Sequence, residues 1–139
     1  MKNLLILAIF VVVLVTGNVP VAGAVQFDIA VLQGLDKVTA RVSTFNAPID
    51  ATVKFGTLEI IVRKCDKRPP EETPESAAFI DVWEVRPGEL TMSVYRGWMF
   101  ASSPALAAME HPVYDVWVLD CKDSRRGLKK INSLPKLVT

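Results

Sequence analysis

From residue 25 onward, apolar and polar side chains take turns along the chain, and a period of two is the mark of strands that bury one face. Val25, Phe27, Ile29 and Val31 form one stripe; Val38, Ala40 and Val42 form the next, with Thr39, Arg41 and Ser43 pointing away. After a turn signal at Asn46-Ala47-Pro48 comes a third extended stretch, in which Val53 and Phe55 precede Gly56, a bulge or bend, and Leu58, Ile60 and Val62 follow it. Residues 66–76 hold three prolines and no hydrophobic side chain, which predicts an exposed loop. Residues 79–85 and 90–98, joined by Arg86-Pro87-Gly88-Glu89, form the clearest hairpin. The last strand runs from Val113 to Cys121. Its two faces are both partly apolar, which predicts a central position. Ser103 as cap, Pro104 at the first helical position and Ala105 to Glu110 predict one helix of about two turns, stopped by Pro112. Six candidate strands and one short helix, with no strand–helix–strand spacing, predict an all-β fold: a compact antiparallel barrel or sandwich.

The first 24 residues follow a different rule. Lys2 precedes an unbroken apolar run from Leu4 to Val15, then helix-breaking Gly17, Asn18 and Pro20, then Ala22-Gly23-Ala24. That order is the order of a signal peptide, with cleavage expected after Ala24, and the run is shorter than the ~20 residues that cross a bilayer. The expected segments are a leader at 1–24, a β-domain at 25–121 and a basic tail at 122–139, in a periplasmic product. Sixteen Lys+Arg against fifteen Asp+Glu leave a net charge of +1, which argues against a nucleic-acid partner held by bulk charge. The charge is nonetheless segregated. Lys122, Arg125, Arg126, Lys129, Lys130 and Lys136 crowd the tail, suited either to docking on the acidic body or to an anionic surface.

In an oxidising compartment Cys65 and Cys121, the only two cysteines, pair as a disulfide that ties two strand ends together. Neither a Cys-x-x-Cys redox spacing nor a recognised metal-ligand spacing is present, so no metal and no cofactor are expected.

The segment Gly97-Trp98-Met99-Phe100-Ala101-Ser102-Ser103-Pro104-Ala105-Leu106, continued by Glu110-His111-Pro112-Val113-Tyr114-Asp115-Val116-Trp117 and Asp120-Cys121, resembles the bacterial family called domain of unknown function 2155. Leu35 to Ala40, Phe55 to Leu58, and Cys65 with Arg68-Pro69-Pro70 resemble its earlier segments in order, so the likeness runs over residues 34–122. It implies an exported alphaproteobacterial envelope protein. It carries no activity or ligand onto these positions.

Two chemistries compete for the Trp98–Asp115 stretch. Ser102, Ser103, His111 and Asp115, with Glu110 beside them, contain the parts of a nucleophile, base and orienter, the basis of a small-hydrolase alternative. No Gly-x-Ser-x-Gly elbow presents either serine, and nothing in the spacing of Asp81, Glu84, Glu110 and Asp115 selects a glycosidase pair. The second chemistry is binding. Trp98, Met99 and Phe100 are consecutive, so an extended chain cannot bury all three, and with His111, Tyr114 and Trp117 they offer an apolar anchor with a polar rim. The preferred reading is a non-enzymatic module that binds an envelope protein or cell-wall polymer through this surface. A membrane- or wall-apposed factor acting through the basic tail is the third.

Overall fold

The computed structural model describes residues 23–126, which form two antiparallel sheets around one core. The leader other than Gly23 and Ala24, and the tail beyond Arg126 with its Lys129 and Lys130, lie outside the described residues. The strands are β1 (Val25–Phe27), β2 (Ile29–Asp36), β3 (Arg41–Pro48), β4 (Thr52–Phe55), β5 (Leu58–Lys67), β6 (Ser76–Glu84), β7 (Met92–Phe100) and β8 (Tyr114–Lys122). One sheet has the order β1-β5-β6-β7, with β4 also paired to β5; the other has the order β3-β2-β8. All pairs are antiparallel and no pairing joins the two sheets among the described residues, so the fold is a sandwich.

Eight strands replace the six expected, for local reasons. The first apolar stripe breaks at Asp28, where the chain passes from one sheet to the other. The third stretch folds on itself at Gly56, whose φ of +58° suits a residue without Cβ, so the glycine makes a hairpin turn and not a bulge. The stripe begun at Val38 is overridden: the Asp36 carboxylate accepts the amide N–H groups of Val38 (2.9 Å) and Thr39 (3.1 Å), closing a turn that leaves Val38 exposed and starts β3 at Arg41. Asn46-Ala47-Pro48 stays in β3, an edge strand that tolerates proline, and the chain turns after it. β8 lies at a sheet edge, not its centre; β2 is central.

The expected two-turn helix is a single 3-10 turn, Pro104–Ala107, and Ser103 makes no side-chain cap. The chain turns extended at Ala108 and buries Met109 in the core. Two turns of isolated helix gain little, whereas burying a methionine gains about 1.5–3 kcal/mol.

The inner layer is built from Leu32, Val116 and Val118 on one side and Leu58, Ile60, Val62, Ile80, Val82 and Met99 on the other, all nearly or fully buried. Cys65 stands three positions after Val62 and Cys121 three after Val118, an odd step, so strict alternation would turn both cysteines outward. Each strand corrects this with a bulge. Arg63 is the extra residue of β5, since Val62 pairs with Ile80 and Lys64 with Phe79. Leu119 is the extra residue of β8, since Leu32 pairs with Val118 and Val31 with Asp120. Both bulges move the following side chains to the other face. Cys121 therefore shares a face with Val116 and Val118 and not, as the alternation suggests, with Trp117. Cys65 and Cys121 form the disulfide, with α-carbons 5.7 Å apart.

Candidate functional site

His111 is buried, and both of its ring nitrogens are occupied. Nδ1 accepts the backbone N–H groups of Val113 (3.2 Å) and Tyr114 (3.0 Å), which leaves the proton on Nε2 to be donated to Glu84 Oε1 at 3.1 Å. The ring stacks on Tyr114, and the His111 carbonyl accepts Lys37 Nζ at 2.8 Å. Burial opposes ionisation of Glu84, but the bonds from His111 and Arg86 outweigh it and hold its pKa below the usual carboxylate value.

The serines are elsewhere. The Ser102 hydroxyl donates to Glu75, and Glu75 also accepts the backbone N–H groups of Ser102 (3.1 Å) and Ser76 (3.0 Å). Burial works against the Glu75 charge, and these three bonds together hold its pKa down. No hydrogen bond links Ser102 or Ser103 to His111 among the described residues. Asp115 accepts the N–H of Val116. Asp81 is buried between Arg63 (3.0 Å) and Arg96 (3.3 Å), and Glu110 is exposed. The structure brings His111 to Glu84 and Tyr114. It does not bring the serines, His111 and Asp115 into one relay.

The aromatic residues also divide. Met99 is buried, while Trp98 and Phe100, two residues apart on β7, are 38% and 37% exposed on the outer face of the five-stranded sheet. Trp117, flanked by buried Val116 and Val118, lies on the outer face of the other sheet, paired with Gln33. Tyr114 packs edge-on against Phe55 near the core. The continuous Trp98–Trp117 surface expected from the sequence is therefore two separate faces.

On the Trp98 face, pairing register sets out rows across β5, β6 and β7. Asp66, Ala77 and Phe100 form one row; Lys64, Phe79 and Trp98 form the next. Phe79 meets Trp98 edge to face at 5.7 Å between centroids. Ala77, the small residue between Asp66 and Phe100, forms the floor of a groove of about 340 Å³ that Trp98, Arg68 and Glu75 help to wall. Asp66 Oδ2 pairs with Lys64 at 3.3 Å, whereas Asp66 Oδ1 is inaccessible to water and has no hydrogen-bond partner.

A second concavity, about 490 Å³, opens at the disulfide end between β1, the 68–75 loop and the start of the tail, with Phe27, Pro69, Pro70, Pro74 and Cys121 in its wall. The described beginning of the tail rests on the body: Asp28 accepts the N–H of Ser124 at 2.8 Å, and the Arg126 guanidinium lies 5.9 Å over the Phe27 ring. Lys122 and Arg125 are exposed. Among the described residues there is no cluster of three or more metal-ligating side chains, and no helix is long and apolar enough to cross a membrane.

The sequence reading offers none of Asp66, Arg68, Ala77 and Phe79 as a site residue. The three-residue step from Val62 to Cys65 was the available signal, because a buried Cys65 turns Asp66 outward beside Ala77.

A family model described as an uncharacterized protein conserved in bacteria, domain of unknown function 2155, matches residues 30–121. The chain belongs to that family. The match begins in β2 and ends at Cys121, so it takes in both bulges, the disulfide and the groove row of Asp66, Ala77 and Phe100. An uncharacterized protein of Rickettsia prowazekii is 28% identical over 87 residues, which cover 63% of this chain and 56% of that protein. The chain thus spans little more than half the length of that relative. No solved structure matches the chain.

Proposed function

We propose that this member of the family is an exported, non-enzymatic binding module of the bacterial envelope, and that it works through the outer face around Trp98. The observation that carries the reading is the pairing of two partly exposed aromatic rings, Trp98 and Phe100, with a walled groove on an edge strand anchored in the core by Met99 between them. Periplasmic location is supported by the leader-like pattern of residues 1–24 and by a disulfide between the only two cysteines. A non-catalytic role is supported by the use of His111, Ser102 and Glu75 in holding backbone. The test is photocrosslinking in intact cells with a photoreactive residue at position 98 and, as comparator, at position 117. Capture of an envelope protein or wall polymer from 98 and not from 117 supports the reading; equal or absent capture at both refutes it.

A further inference from the structure

We infer that β3 is a docking edge for a second copy of this chain: two copies join by antiparallel pairing of β3 with β3, in the register that sets Thr44 opposite Thr44. The inference goes beyond the Trp98 reading and does not rest on it, since β3 and β7 belong to different sheets.

A strand at a sheet edge presents N–H and C=O groups with nothing to bond, and monomeric proteins keep such edges short, charged, bulged or covered. The edges among the described residues follow that rule at every strand but one. β1 and β4 are three and four residues long. On β7 the Tyr95 hydroxyl donates to the Trp98 carbonyl at 3.0 Å and the Ser103 N–H to the Phe100 carbonyl at 3.3 Å, and the pairing with β6 shifts register between Val82 and Trp83. On β8 the Asp115 and Asp120 carboxylates accept the N–H groups of Val116 (3.1 Å) and Cys121 (2.8 Å). β3 has none of these devices. It is eight residues long, pairs with β2 without a bulge, and carries no charge between Arg41 and Pro48. Val42, Thr44 and Asn46 are exposed along it.

This edge is also complementary to itself. Ile49 donates to the Asp28 carbonyl at 3.0 Å, so the odd-numbered residues of β3 face β2. Val42, Thr44 and Asn46 therefore turn their N–H and C=O groups outward, where no other element bonds them among the described residues. With Thr44 opposite Thr44, Val42 stands opposite Asn46, and each exchanges both bonds with its partner, leaving no group over. Arg41, the one charge on the strand, then lies opposite Ala47 and away from its own copy. Sliding one copy by two residues sets Asn46 against Ala40, which its turn holds at φ +56°, or Val42 against Pro48. Proline has no N–H to give, and the Pro48 carbonyl is already taken by Ala51. A second copy thus supplies an uncharged strand of matching length by construction. The pairing makes one continuous sheet of the two three-stranded sheets. β3 packs on the β4 side of the other sheet, through Phe45 and Phe55, so Trp98 on β7 stays uncovered in both copies.

The test is sedimentation velocity of the protein purified from expressing cells, disulfide intact, from about 1 μM to about 1 mM. The parent should dimerise reversibly across that range. Thr44→Lys, which sets like charges directly opposite each other, should weaken the dimer at least tenfold, while Ser93→Lys on β7 should leave it as in the parent. An unchanged melting temperature establishes that each variant is folded; Val42→Lys, with the same expected loss, serves if Thr44→Lys is not. Opposed residues that exchange both bonds have α-carbons about 5.5 Å apart, within the reach of a disulfide, so Thr44→Cys should oxidise to a covalent dimer faster than Val42→Cys. A parent that stays monomeric throughout overturns the inference. So does a dimer retained by the folded lysine variant on β3, a dimer lost in Ser93→Lys, or a Thr44→Cys protein that crosslinks no faster than Val42→Cys. A monomer that still captures its partner from position 98 loses the docking edge alone and leaves the Trp98 reading standing.

Discussion

Replacing His111 by alanine separates a catalytic histidine from one that holds the chain. In the folded protein Nδ1 is the acceptor for two consecutive backbone N–H groups, Val113 and Tyr114, at the entry to β8. Alanine removes that acceptor and the stack on Tyr114, while the bond from Lys37 to the residue-111 carbonyl survives. Each stranded part-buried N–H costs about 1 kcal/mol at the low end of the range, and the lost ring contact about another 1 kcal/mol. The sum, about 3 kcal/mol, corresponds to a fall in Tm on the order of 15 °C for a domain of this size. His111→Asn is the informative partner, because its side-chain oxygen reaches back to the same two N–H groups as Nδ1 does, and it should recover at least half of the loss. Urea and thermal unfolding followed by far-UV circular dichroism measure both variants. A His111→Ala protein as stable as the parent, or an asparagine variant no better than alanine, would refute the structural assignment and return the residue to the list of catalytic candidates.

Removing the crosslink with Cys65→Ala and Cys121→Ala together, which releases a closure spanning 56 positions, should cost about 4 kcal/mol in urea unfolding, and alkylation of protein recovered from cells should find no free thiol in the parent. Acid should destabilise the fold: Glu75 and Glu84 have depressed folded pKa values, so their contribution is complete above about pH 4.5 and is lost as pH falls towards those lower values. Glu75→Gln with Glu84→Gln should flatten the acid limb of a Tm-against-pH curve without changing its sign elsewhere. Gly34→Ala should cost about 1–3 kcal/mol, since its methyl would stand 2.6 Å from the Phe55 ring, whereas Gly88→Ala, at φ +78° in open space, should cost about 1 kcal/mol from backbone strain alone; chemical unfolding of the pair checks the order.

The alternation of side chains made the β class and most strand positions legible, because each strand buries one face and the two-residue period survives in any register. It failed where a side chain competed with the ladder. Asp36 holds a turn that delays β3 to Arg41, three residues after the apolar stripe implied, and Asp28 marked a change of sheet that a continuous stripe from Val25 to Val31 concealed. The candidate site was legible in part. Trp98 and Phe100 could be seen to point the same way and opposite to Met99, as they do. Their separation from Trp117 could not be seen, since it depends on which sheet each strand joins, and nearness in sequence says nothing of that across a hairpin-to-sheet crossover.

The groove depends on the same departures from regularity that bury the cysteines. Asp66 reaches the outer face beside Ala77 because the Arg63 bulge has already turned Cys65 inward; without that extra residue the carboxylate would point into the core and the sulfur to solvent. Such a slip is penalised three times: it buries a charge, loses the bond to Cys121, and exposes a side chain that fills the end of the core. The register of β5 at its C-terminal end is therefore far more strongly specified than hydrogen bonding alone would make it. That register in turn places Asp66, Ala77 and Phe100 in one row. The disulfide, on the inner face directly behind Asp66 and Ala77, is thus part of what holds the groove's floor and its unpartnered oxygen in place.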